Sequence, residues 1–237
     1  MDAAALSALW LSVAGPVSRD ARVPPPPPTT AVLAEVAKGK VGRVALPEKG
    51  VAAYGILPAS RELLWLSLTD DHLDDDVAEL TEVILHGHWA SPKTMYQRID
   101  LPWPFADRHY VLVSENNAKL AGAGVWERAW HVDNTELVAA RTQTDAVGFD
   151  ASEPLPMNRG AWLLVPIDAD HTLGVYQAWT DLGGAIPAEA AQTWARASLD
   201  DLYASLTKHT VAVAARYGAG CAPQPAPDGV AIPCLGR

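Results

Sequence analysis

The stretch GAWLLVPIDADHTLGVYQAWTDLGGAIPAEAAQTWARASLDDLYASLTKHTVAVAARY, residues 160–217, reads as two strands followed by one long helix. Residues 160–167 and 172–180 are short apolar-rich runs joined by a tight polar turn, the pattern of an antiparallel pair. Beyond them the period changes. Ala195, Leu199, Leu202, Leu206, His209 and Val213 fall at steps of three and four, which predicts one apolar stripe on a helix over 187–217. Pro187 suits its first turn, and Gly218 suits its stop.

Upstream, period-two alternation predicts further strands over 80–89, 93–100, 108–115, 125–132 and 136–145, most of them linked by short turns. The exception is a longer, proline-containing loop over 147–158. Before this run, 31–38 reads as a short helix, 40–57 as two strands turning near Glu48-Lys49-Gly50, and 59–70 as a helix. The order predicts an α+β fold in which a curved antiparallel sheet carries one dominant amphipathic helix. A sheet curled around that helix encloses a space lined by apolar side chains.

Composition narrows the function. Lys and Arg total 18 against 28 Asp and Glu, a net charge of −10. That argues against phosphate-driven nucleic-acid binding and against docking on anionic lipid by charge. Nine Trp stand against two Phe, so large apolar walls with a polar handle are abundant.

Both ends are distinct. MDAAALSALWLSVAGP has the apolar and small residues of a leader, but Asp2 stands where a basic residue is expected. An ordinary N-terminal helix and the remnant of a leader both remain open. Five prolines over 24–28 make a stiff spacer after the first 23 residues. Cys221 and Cys234 bracket a Pro-rich polar segment. They read either as unrelated thiols or as a disulfide closing a small loop, which implies an oxidising compartment such as a periplasm. The expected organisation is a helix and spacer over 1–30, a main domain over 31–220 and a Cys-containing tail over 221–237.

The segment LPWPFADR (101–108), preceded by YQRID, is similar to the PWP-x-x-x-R segment of the START family, the steroidogenic-acute-regulatory-protein-related lipid-transfer domains. GAWLLVPID, TDLGGAIP and residues 188–217 resemble that family's penultimate strand, the end of its last strand and its closing helix, in the right order. One departure is Arg108-His109, where the family often has Arg-Asp; Asp107 lies one place upstream instead. The resemblance implies a helix-grip fold, bacterial in kind, around a tunnel for one sterol, phospholipid or other apolar molecule. It implies that the 147–158 loop, with apolar Phe149, Leu155 and Met157, gates the tunnel together with the closing helix.

Candidate wall residues are Trp130, Trp162 and Trp179 on strands, and Trp194, Leu199 and Leu202 on the helix. Together they make the wide apolar surface that ligand sites prefer. Tyr96, Arg98 and Asp100 share one strand face, and Arg141 sits inside the predicted 136–145 strand. Arg98 and Arg141 are candidate anchors for a ligand hydroxyl or headgroup, with Tyr96, Tyr110 and Tyr176 adding hydroxyls; a solvent-facing location is the alternative for each. His86 and His88 form an H-x-H pair without a visible third ligand, and 70–76 (DDHLDDD) lacks the glycine and closing glutamate of a calcium loop. Neither predicts a metal, and no cofactor motif occurs.

The expected function is therefore non-catalytic carriage of one lipid by a monomer that touches a membrane transiently. The alternative is a polyketide cyclase or aromatase using the same cavity, with His131, or Tyr110 and Arg141, as acid and base. A lipid-sensing module tethered by the proline spacer ranks third.

Overall fold

The computed structural model describes residues 1–235 other than 71–79, 88–90, 102, 144–148, 185 and 187; the side chains of 49, 80, 81, 143 and 188–197 also fall outside the description. The chain begins with α1 (Ala3–Asp20) and α2 (Thr30–Val36). A hairpin, β1 (Gly42–Ala45) and β2 (Val51–Leu57), leads to α3 (Arg61–Thr69). A meander follows: β3 (Leu80–His86), β4 (Lys93–Ile99), β5 (Asp107–Asn116), the short α4 (Ala118–Ala121) and β6 (Trp126–Val132). Then come α5 (Leu137–Gln143), β7 (Ser152–Pro154), β8 (Met157–Pro166), β9 (Thr172–Asp181) and the closing helix α6 (Ala188–Arg216), with a small hairpin of β10 (Gln224–Pro225) and β11 (Ala231–Ile232) at the end.

The main sheet runs β1-β2-β9-β8-β6-β5-β4-β3, and β7 pairs with β5 beyond the end of β6. Every pairing is antiparallel except β5 with β7. Strict alternation divides the side chains between two faces. The inner face carries Ala53, Trp126, Trp162 and Leu164 against α3 and α6. The outer face carries Ala52, Tyr54, Ala161, Leu163, Val165, Leu173 and Val175 against α1 and α2. Both faces are covered, so the central strands read as continuous apolar runs.

The closing helix buries Leu199, Tyr203, Leu206 and Val213, each worth roughly 1.5–3 kcal/mol of burial. Tyr203 fixes its position. The Tyr203 hydroxyl reaches Ala53 O at 2.9 Å and Gly174 O at 3.0 Å, bridging β2 and β9. The ring can lie this close because residue 55 is glycine: a Cβ there would stand 2.6 Å from it.

The expected strand over 136–145 is a helix. Asp133 caps the turn before it by accepting from Thr135 N, and Ala, Leu, Arg and Gln are strong helix formers. Leu137 and Ala140, one turn apart, pack on Tyr96 and Val111 of the outer face. An Ala-Ala run is silent about period, which is why alternation misled here.

The N-terminal segment lies on the sheet. Leu6, Trp10, Val13 and Val17 are buried at helical spacing. The buried carboxylate of Glu127 accepts from Arg22 N, Val23 N and Asn117 Nδ2. The proline run then crosses the outer face, where Tyr54 donates to Pro26 O and Gln177 to Val23 O. At the other end, Cys221 and Cys234 are joined in a disulfide, and Trp65 Nε1 donates to Pro225 O at 3.1 Å. Among the described residues, no helix is long and apolar enough to cross a membrane.

Candidate ligand cavity

A cavity of about 400 Å³ lies between the inner face of the sheet and helices α3 and α6. One wall is aromatic. Trp130 on β6 and Tyr176 on β9 stack with ring centroids 5.7 Å apart and planes 29° apart. Trp162 on β8 stands 5.0 Å from Tyr176. The wall is braced by a hydrogen bond from Trp130 Nε1 to Asn158 Oδ1 at 3.0 Å. Gly160 lets Trp130 lie across β8; a Cβ at that position would meet the ring at 2.5 Å and Gln177 O at 2.2 Å. Leu202 and Leu206 of α6 close the apolar part from above.

The far end is polar. Lys93 and Gln97 of β4, Ser114 of β5 and Arg128 of β6 line it, all buried. Lys93 Nζ donates to Thr69 O at 3.1 Å, and Arg128 donates to Ser114 Oγ at 2.6 Å and Asn116 Oδ1 at 3.0 Å. Gln97 donates to Glu82 at 2.5 Å. Asp70, fully buried at the end of α3, accepts from Arg216 at 2.5 Å and Tyr217 at 3.1 Å. His209 of α6 lines the same space. Buried charges persist only when paired or hydrogen-bonded, and these are.

Burial pushes the Tyr176 phenol up to about 12, and Tyr110 higher still, so both are neutral hydrogen-bonding groups at any ordinary pH. Tyr110 is buried on the same face, in a cluster with Met95, Leu112 and Leu155.

Among the expected site residues, the cavity brings together Trp130, Trp162, Tyr176 and Leu202. Leu199 is core beside Trp162 and Tyr203. Others lie elsewhere. Tyr96 and Arg98 point to the outer face: Tyr96 stacks on Phe149 and His109, and Arg98 pairs with Asp107 at 2.6 Å and Asp100 at 2.8 Å. The inward residues of β4 are Lys93, Met95 and Gln97, one step out of phase, and a one-residue slip moves a whole set of side chains to the other face. Trp179 is likewise outward, donating to Pro47 O under Arg159. Arg141 is exposed on α5 and pairs with Asp150. The Trp194 side chain lies outside the described residues.

The gate residues are not exposed apolar surface. Leu155 is fully buried, Phe149 stacks 4.1 Å from His109 on the outer face, and Met157 is half-buried at the start of β8. Among the described residues the exposed large aromatic is Trp103, 92% exposed in the turn between β4 and β5. Where the usual Arg-Asp is replaced, Asp107 pairs with Arg98, and His109 bonds Ser152 Oγ at 2.7 Å. His131 is exposed. His86 pairs with Glu136, His88 and 71–76 lie outside the described residues, and no group of three metal-ligating side chains occurs among those described.

The polar end of the cavity escaped the sequence reading. A signal was present on β6, where Trp126, Arg128 and Trp130 alternate, so an arginine shares a face with two tryptophans. Lys93, Ser114 and His209 carried no such mark.

No family model and no curated protein matches the chain by sequence. Solved structures do match by fold. A STAR-related lipid transfer protein from Xanthomonas axonopodis superposes with a TM-score of 0.56 at 20% identity, covering 72% of this chain and 91% of that one. Human StAR-related lipid transfer protein 5 gives 0.56 at 14% identity over 89% and 97%. Human STARD10 gives 0.55 at 12% identity over 72% and 68%. The fold of this chain is thus the START-like helix grip.

Proposed function

We propose that this protein binds one apolar or amphipathic lipid between its sheet and its closing helix and carries it between membranes without chemical change. The observation that carries this reading is the cavity itself: an aromatic wall, an aliphatic roof and a polar end, in a fold shared with proteins named for lipid transfer. Burial of an apolar ligand yields about 25 cal/mol per Å² of apolar surface before binding costs are subtracted, so no catalytic group is required. A carrier must meet the bilayer that donates its ligand. Trp103 is the side chain that supplies such contact, since an indole settles at the membrane–water interface without any need for positive charge.

A second reading is a cyclase-type enzyme. It is favoured by one observation: His209 lines the same cavity as the carboxylates of Asp70 and Glu82, the residue types of general acid–base work. Native mass spectrometry of the purified protein, before and after incubation with lipid extract, separates the two. A carrier returns its ligand with unchanged mass, one per chain. A ligand recovered with altered mass, or no ligand taken up, would overturn the carrier reading.

A further inference from the structure

Resting on the carrier reading, the size and two-ended chemistry of the cavity narrow the ligand class. The 400 Å³ space stands at the lower end of the roughly 300–1,000 Å³ range of small-molecule sites. A diacyl phospholipid, with two long chains and a phosphate headgroup, needs more room than a site at that end of the range offers. We infer that the cavity takes a compact ring compound bearing a hydroxyl or carbonyl group, and excludes diacyl lipids.

Two observations point to a ring and to its polar group. The wall is flat and rigid: the Trp130 and Tyr176 rings stack, Trp162 abuts Tyr176, and the Asn158 bond together with the close packing on Gly160 holds Trp130 against the sheet. A planar ring system gains contact along its whole face on such a surface, while a flexible chain would lose rotamer freedom to do so. The Tyr176 hydroxyl lines the cavity and bonds none of the described residues. It stays protonated to about pH 12, so it offers both a donor and an acceptor to a ligand oxygen. The buried Ser114 hydroxyl, flanked by Lys93 and Arg128, supplies a second polar contact at the far end.

The test uses the full chain and two probes: oestradiol, a hydroxylated fused-ring molecule of fitting size, and dioleoyl phosphatidylcholine vesicles. Tryptophan fluorescence and native mass report binding, and thermal melts confirm that variants are folded. The expected result is one oestradiol per chain, no phosphatidylcholine uptake, and a roughly five- to tenfold weaker affinity in Tyr176→Phe. Stoichiometric phosphatidylcholine uptake would overturn the size limit while leaving the carrier reading intact. Oestradiol binding that Tyr176→Phe leaves unchanged would remove the hydroxyl contact. Uptake of neither probe would overturn the ligand class and the carrier reading together.

Discussion

The indole of Trp130 donates to the side-chain oxygen of Asn158 on the neighbouring strand, at 3.0 Å, and so is held across β8 as one wall of the cavity. Asn158→Leu removes that acceptor and leaves the part-buried indole N–H without its partner. It should lower stability by about 1–3 kcal/mol and weaken ligand binding, because leaving a buried donor unpaired carries its full desolvation cost. Denaturant titration and fluorescence binding on the same preparation would check it; unchanged values in both would mean that the wall does not depend on this bond.

The disulfide at the C-terminus holds the small β10–β11 hairpin against α3, where Ala226 and Ile232 are buried and Pro225 accepts from Trp65. Closing a loop of this length stabilises by about 3 kcal/mol in the chain-entropy model. Reduction with dithiothreitol, or the Cys221→Ser variant, should lower the melting temperature by several degrees. Identical melts with and without reductant would show that the tail contributes nothing to the folded domain.

His109 lies beneath Phe149 with its Nδ1 on Ser152 and its Nε2 buried without a partner. Burial holds its pKa below the usual 6.5. The folded state therefore binds fewer protons than the unfolded state between 6.5 and that lowered value. Stability from this site is complete above about pH 6.5 and declines as pH falls toward the folded-state pKa. A His109→Gln variant should show a flatter stability profile in that window. An NMR titration placing the His109 midpoint at or above 6.5 would contradict the assignment.

Among the described residues Trp103 is the largest apolar side chain left in water, and it sits on a turn rather than on the packed faces. Trp103→Ala should slow ligand transfer between vesicles severalfold while leaving equilibrium affinity unchanged, since the cavity does not include it. Normal transfer by the variant would move the membrane contact elsewhere.

Most of the fold was legible because alternation and helical spacing are physical consequences of burial. The strands at 93–100, 108–115, 125–132, 160–167 and 172–180, and the closing helix, all stand where those periods place them. The site was legible only where a residue's face could be fixed. Trp130, Trp162 and Tyr176 point inward and line the cavity. Tyr176 and Trp179, three apart on one strand, could not share a face, and Trp179 proves to be the outward one. Tyr96 and Arg98 failed for the same reason: Thr94, Tyr96 and Arg98 form one set and Lys93, Met95 and Gln97 the other, and nothing local says which faces α6. The outer face is itself covered by α1, α2 and α5, so burial alone does not distinguish the two. Glu127, buried beneath the N-terminal segment, depends on partners about 100 residues away and left no local mark.

The location of the ligand is the central claim, and paired equilibrium titrations of the wild type and Ser205→Trp test it most directly. Ser205 is half-buried on α6 and lines the cavity, so an indole there fills the space from the helix side without touching the sheet's hydrogen bonds. The wild type should bind one ligand per chain. The folded variant should lose at least tenfold in affinity, with a melting temperature near that of the wild type. Equal affinity in the two proteins would mean that the ligand binds somewhere other than between the sheet and the closing helix.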